Sequence, residues 1–246
     1  MNKLFILIFV IATCTSLSAQ TVDEIVTAYY NTIGGANWEK VNSLTLKANV
    51  EQGGMKIPIE VVSMRDGRNY TEITLMGNKM IMQGFDGKTN WSTNFMTMEA
   101  EKSSSEVSEN AIRSKDEFPY AIIVYKKLGY KATLLGTETV DGTPCHKIKL
   151  EKKTRLVEGV ETPNIEYVYI DKENNVAIMT ESEIMEGEMK GKIGQNKMSD
   201  YQEVNGVYIP FSNSQGIKGE EFQTMQFESI TVNDKVDETK FAFPKK

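Results

Sequence analysis

The stretch Met64–Trp91, MRDGRNYTEITLMGNKMIMQGFDGKTNW, decides the fold. Turn pairs punctuate it at Asp66-Gly67, Gly77-Asn78 and Asp86-Gly87. Glycine, asparagine and aspartate supply the positive φ angles of tight hairpins at little steric cost. The reading is a strand ending at Met64, strands over Asn69–Met76 and Lys79–Phe85, and a short strand carrying Trp91. Together they make an antiparallel meander. Few of its polar residues suggest chemistry. What it offers is apolar surface, from Ile73, Leu75, Met80, Ile81, Met82, Phe85 and Trp91.

Toward the N-terminus the alternation continues. Over Asn42–Val50, Leu44, Leu46, Ala48 and Val50 face one way and Ser43, Thr45, Lys47 and Asn49 the other, which is the pattern of a half-buried strand. Ile57, Ile59 and Val61 repeat it over Lys56–Met64, and Pro58 assigns that segment to a sheet edge or a strand start. Thr21 to Ile33 reads as a helix. Thr21 and Glu24 stand at capping-box spacing, Ile25, Val26, Tyr29 and Ile33 form one apolar stripe, and Gly34-Gly35 ends it.

Toward the C-terminus the pattern breaks once. Glu101–Lys115 is polar and poor in β-branched residues, with a helix expected over Ser105–Ser114. Phe118–Tyr130 then offers a short apolar helix ending at Gly129, placed to act as a lid over the sheet. From Lys131 strands return over 132–140, 145–150, 165–171 and 176–181. The more polar Ile184–Ile193 and Lys197–Val204 are expected to reach beyond the core, and Val207–Ile217 and Phe222–Val232 close the sheet. Phe241 and Phe243 are expected to pin the C-terminus. The expectation is therefore a mainly β (α+β) chain. It has one strongly curved, unclosed antiparallel sheet of about ten to twelve strands, with a few helices in or over its concave face.

Residues 1–19 read as a secretory signal peptide: Lys3, the apolar run Leu4–Ala12, then small residues at Ser16, Ser18 and Ala19. The rival reading is lipoprotein processing at Cys14, which would anchor the chain by lipid. The preceding Thr13 is not the Gly, Ala or Ser that such processing usually takes. The remainder, 20–246, is expected to be one domain, monomeric and periplasmic, with no transmembrane segment. A net charge of −6 offers no basic stripe for nucleic acid. Cys145 is then the lone cysteine, so the domain must hold itself by core burial.

His146 is the sole histidine, so a catalytic triad or a multi-histidine metal site would have to be built on it. Its neighbour Cys145 points to the opposite face of a strand. Glu181, Glu183, Glu186 and Glu188 read as a solvated strand face, with a carboxylate acid/base pair the enzymatic alternative. No nucleotide-binding fingerprint occurs, and neither a cofactor nor a metal nor a catalytic residue is expected. Thirteen methionines are the compositional oddity, clustered at Met76, Met80, Met82, Met96 and Met98. Flexible thioethers suit a wall that must fit varied apolar ligands.

Four stretches taken in order resemble the LolA/LolB-like superfamily of outer-membrane lipoprotein-sorting proteins: GFDGKTNW (Gly84–Trp91), VDGTPCHKIKL (Val140–Leu150), EYVYIDKENNVAIMTES (Glu166–Ser182) and SDYQEVNGVYIPF (Ser199–Phe211). The resemblance implies a half-barrel whose internal helices leave an apolar cavity for acyl chains. It implies a carrier of lipid or of a lipoprotein's lipid moiety, working with envelope transport proteins and without catalysis. A structural or interaction role in the envelope is the other reading of the same fold. Among the four arginines, Arg65, Arg68, Arg113 and Arg155, none falls in a quoted motif as the family's lid-gating arginine. On this reading Leu44, Leu46, Ile57, Ile59, Ile73, Leu75, Met80, Met82 and Trp91 line the cavity. Ile122 and Ile123 point into it from the covering segment.

Overall fold

A computed structural model describes residues 20–52 and 54–244. The signal-peptide and Cys14 readings lie outside the described residues. The chain opens with helix α1 (Val22–Thr32), capped as its sequence predicts: the Thr21 hydroxyl accepts from the Glu24 N–H and the Glu24 carboxylate accepts from the Thr21 N–H. A 3-10 turn over Gly35–Lys40 leads into the first meander: β1 (Ser43–Gln52), β2 (Met55–Met64), β3 (Asn69–Leu75), β4 (Asn78–Phe85), β5 (Asn90–Thr93) and β6 (Ala100–Lys102). Helices α2 (Ser105–Ser114) and α3 (Ala121–Val124) follow. The second meander comprises β7 (Lys131–Val140), β8 (Thr143–Val157), β9 (Val160–Asp171), β10 (Ala177–Glu183), β11 (Ile193–Val204), β12 (Val207–Ile217) and β13 (Phe222–Val232).

All thirteen strands form one antiparallel sheet, ordered β6-β5-β4-β3-β2-β1-β13-β12-β11-β10-β9-β8-β7. It does not close on itself. Each half is a run of hairpins, and the halves join where β1 pairs with β13, Leu44 opposite Val232. The helices pack against the inner, concave face. Ile25, Tyr29, Ile33 and Trp38 bury themselves against Ile148, Leu150, Val168, Ile170, Val207 and Ile209, and Ala121 and Ile122 of α3 join the same core. Burial of this kind supplies roughly 25 cal/mol for each Å² of apolar surface removed from water. Among the described residues, no helix is long and apolar enough to cross a membrane.

Several elements differ from their sequence reading, each for a local reason. Pro58 lies on an interior strand, because β2 is flanked by β1 and β3. The β3 ladder stops at Ile59, however, so Pro58 sits where β2 has already lost that neighbour and no ladder bond is forfeited. Strands β8 and β9 extend far past Leu150 and begin well before Ile165. Residues 184–192 are a closed turn rather than a strand, broken by positive φ at Gly187 (75°) and Gly191 (84°). The lid helix is a single turn, Ala121–Val124.

One turn illustrates why the opening stretch is so specific. Gly67 has φ 89°, and a Cβ there would lie 2.4 Å from Cβ of Lys115. Glycine is thus required both by the backbone and by the close passage of the segment after α2.

Candidate functional site: a hollow on the concave face

The sheet and its helices enclose a hollow of about 1380 Å³. Four of the expected residues line it: Leu44 and Leu46 from β1, Ile59 from β2 and Ile122 from α3. Val61, Phe85, Val168, Met198, Ile209 and Phe227 line it too. Of these, Val61 continues the Ile57–Ile59 alternation and was legible as such. Phe85 ends β4 of the same meander and stands among its apolar residues, whereas Val168, Met198, Ile209 and Phe227 belong to strands distant in sequence, which the β1–β13 junction brings around. The segment Phe118–Ile122 covers the hollow from the helical side.

The other expected residues separate into those on the wall's face and those that leave it. Ile73 pairs with Ile59 and with Met80, so both share the inner face. Ile57 pairs with Val50, a lining residue, and Leu75 closes the β3–β4 hairpin opposite Asn78. Met82 is the extra residue of a β-bulge: Thr71 faces Gln83 and Glu72 faces Ile81, leaving Met82 without a partner. That bulge reverses the parity of β4. Met80 is inside, but Gly84 is outside, and Trp91 pairs with Gly84. Trp91 is therefore on the outer face, buried there, with its Nε1 donating to the Phe241 carbonyl at 2.9 Å.

Ile123 also departs. It lines a separate recess of about 350 Å³ beside α1, with Trp38, Arg65 and Phe118. Consecutive helical residues point about 100° apart, so Ile122 and Ile123 cannot both face the hollow. Of the methionines, Met76, Met96 and Met98 stand in solvent on hairpin tips, which removes them from any wall.

The C-terminal segment confirms its expected anchoring. Phe241 is buried against Tyr70, ring centroids 5.2 Å apart, and Phe243 meets Trp91 edge-on at 6.1 Å. Glu72, also on this outer face, is buried between Lys240 (2.6 Å) and Lys79 (3.1 Å). Burial pushes its carboxyl upward, and hydrogen bonds from the two ammonium groups more than offset this, leaving it below the usual range.

The titratable residues singled out in sequence are dispersed. Cys145 packs with Val140, Tyr169 and Met179 on the outer face. His146 is buried one residue on, facing the other way. Glu181 is not solvated as expected: it is buried and accepts from Tyr169 (2.6 Å), Gln195 (2.6 Å) and Lys218 (3.0 Å). Glu183, Glu186 and Glu188 are exposed, and Glu186 meets Arg155 at 3.5 Å. Among the described residues, no three His, Cys, Asp or Glu side chains gather as a metal site would require.

Arg65 touches the covering segment. Its guanidinium donates to the Val41 and Trp38 carbonyls and lies 5.1 Å from the Phe118 ring centre. It thereby ties the turn after α1 to the start of the covering segment. At the polar end of the hollow, Lys152 is held between Glu117 (3.1 Å) and Glu166 (3.5 Å). Burial opposes its charge, and the two carboxylates prevail and raise its affinity for a proton.

Fold and hollow define a class of protein: an unclosed antiparallel half-barrel, stoppered by helices, with a large one-sided cavity. No family model and no curated protein matches the chain. Solved structures match in fold. A DUF1329 family protein from Desulfovibrio piger aligns over 91% of this chain and 98% of its own, at TM-score 0.55 and 14% identity. A LolA superfamily protein from Nitrosomonas europaea aligns over 92% and 99%, at TM-score 0.52 and 14% identity. The chain thus shares its fold with a protein of the LolA superfamily, the fold that the sequence resemblance implied.

Proposed function

We propose that this protein is a soluble periplasmic carrier that holds acyl chains of a lipid or lipoprotein in the hollow, in sorting to the outer membrane. The observation that carries the reading is the hollow itself. At about 1380 Å³ it exceeds the roughly 300–1,000 Å³ of ordinary small-molecule pockets. Leu44, Leu46, Ile59, Val61 and Ile122 give it an apolar flank. Each methylene moved there from water contributes about 0.8 kcal/mol. Ten of them supply about 8 kcal/mol, a micromolar affinity before ordering costs, with no polar catalyst needed. The LolA superfamily fold supports the same assignment.

A charge placed in the wall tests it. A sealed core cannot accept an unpaired carboxylate, whereas an open hollow leaves it solvated. Ile59→Glu should fold, melt within several degrees of wild type, and lose most of its affinity for a fluorescent fatty-acid probe. Ile148→Glu, in the fully buried core, should fail to fold. A wild-type protein that binds no probe and yields no acyl lipid in native mass spectrometry of the protein from its own envelope would end the carrier reading.

A further inference from the structure

One row of residues crosses the inner face at right angles to the strands. Ile148 pairs with Val168, Val168 with Thr180, Thr180 with Asn196, Asn196 with Gln215, and Gln215 with Gln223. Residues opposite one another in a ladder share a face, so this is one continuous stripe from β8 to β13. Its first two members are apolar core. Its last four form hydrogen bonds by nature and line the hollow. In the adjoining row, Met198 pairs with Asn213 and Asn213 with Met225, so a further amide stands between two methionines of the wall.

These amides are more than a wetted strand face. The Oδ1 atoms of Asn196 and Asn213 are shut off from solvent and have no hydrogen-bond partner among the described residues. Buried polar atoms are nearly always paired, and an unpaired one is destabilising. Two such atoms occur here, on diagonal neighbours of adjacent strands, at the wall of a cavity. Both oxygens are turned away from the open hollow that their residues line, and a half-turn of either carboxamide, which exchanges oxygen and nitrogen, lets the bank present acceptor or donor to it.

We propose that this bank is a headgroup subsite and that the ligand is an amphiphile with a neutral, hydroxyl-bearing head. The inference rests on the carrier reading: the chains lie along Leu44, Leu46 and Ile59, and the head meets Thr180, Asn196 and Asn213. Amides and hydroxyls both donate and accept, which matches a sugar or glycerol hydroxyl array. The charges of the lining balance, three lysines against three glutamates, and the lining contains no arginine among the described residues. Phosphate recognition draws on arginine forks and excess positive charge, and the bank offers neither.

Three ligands with one twelve-carbon chain test this: dodecyl maltoside, dodecyl phosphocholine and dodecanoate, each below its micelle concentration, displacing the fluorescent fatty-acid probe. The maltoside should compete at about tenfold lower concentration than the other two, the scale of one or two well-formed hydrogen bonds. The double variant Asn196→Leu, Asn213→Leu should erase that preference and leave phosphocholine affinity within about twofold. Gln215→Met, at an exposed position of the same row, gives a second variant should the double one misfold; it should reduce the preference about threefold. Equal competition by all three ligands, or an undiminished preference in a folded variant, overturns the headgroup subsite while leaving the carrier reading intact. A bound probe that none of the three displaces also overturns the headgroup subsite, and a wild-type protein that binds no probe overturns the carrier reading with it.

Discussion

The side-chain amide of Asn110 pairs with both backbone groups of Leu156: Nδ2 donates to the Leu156 carbonyl and Oδ1 accepts from the Leu156 N–H, each at 2.8 Å. A helix side chain here does the work of a missing strand. The β7 ladder begins at Lys131 opposite Glu151, so β8 beyond that point is an open edge. Helix α2 covers it, with Arg113 donating to the Thr154 carbonyl at 3.0 Å and Glu106 accepting from the N–H groups of Glu158 and Gly159. Open edges invite pairing with other chains. Asn110→Leu should therefore cost about 2 kcal/mol, the order expected when two backbone groups lose their partners. For a domain of this size that lowers the melting temperature by roughly 4–8 °C. Size-exclusion chromatography should show new oligomers on storage, and amide exchange at Leu156 should accelerate.

The outer face offers a different check. A Cβ on Gly84 would lie 2.6 Å from Trp91 Nε1, and Trp91 is fixed by its bond to the Phe241 carbonyl. Gly84→Ala must displace the indole and with it the C-terminal segment, costing about 1–3 kcal/mol as overpacking does. Probe binding should be unchanged, because none of these groups faces the hollow. A melting curve beside a displacement titration reads both. Impaired binding in the folded variant would contradict the placement of Trp91.

Stability should fall off at both ends of the pH range, for opposite reasons. Burial, and then the Lys172 ammonium, lower the His146 pKa in the fold. The neutral imidazole is favoured there, so its contribution is complete above the ordinary value near 6.5 and is lost as pH falls through the lowered one. Burial, and then Asp171, push the Cys145 thiol up to about 11. Its contribution is complete below the ordinary value near 9 and is lost as pH rises through about 11. Thermal melts from pH 7 down to 5, above the carboxylate range, should decline for wild type and flatten in His146→Gln. Cys145 should resist alkylation at pH 8 until the domain unfolds.

The fold was legible because its turns are written in short-range chemistry. Asp66-Gly67, Asp86-Gly87 and Asn205-Gly206 each carry positive φ at their glycines, and they mark hairpins without reference to anything distant. The wall was legible only up to Met82. One extra residue in β4 leaves each hydrophobic side chain as apolar as before and reverses which face it serves, so Trp91 reads correctly as buried and wrongly as inside. The amides of β11 and β12 were missed for the converse reason. Polarity in a strand reads as solvent, and nothing local to Asn196 or Asn213 tells that their neighbours across the ladder close around a hollow. Glu181 misleads likewise, since its partners Tyr169, Gln195 and Lys218 come from three other places in the chain.

The strand order has a consequence for how the chain reaches this state. Every hairpin in either meander joins residues close in sequence, and such contacts form early. The seam between the meanders does not: Leu44 must find Val232, and Ala48 must find Phe227, across about three-quarters of the polypeptide. Loop-closure entropy makes that pairing the slow step. Until β13 is available, β1 carries an unpaired edge beside an uncovered apolar face. A chain shortened by its last strand would keep most of its hairpins and still have no seam to close. The final tenth of the polypeptide thus governs whether the two curved halves ever become one vessel.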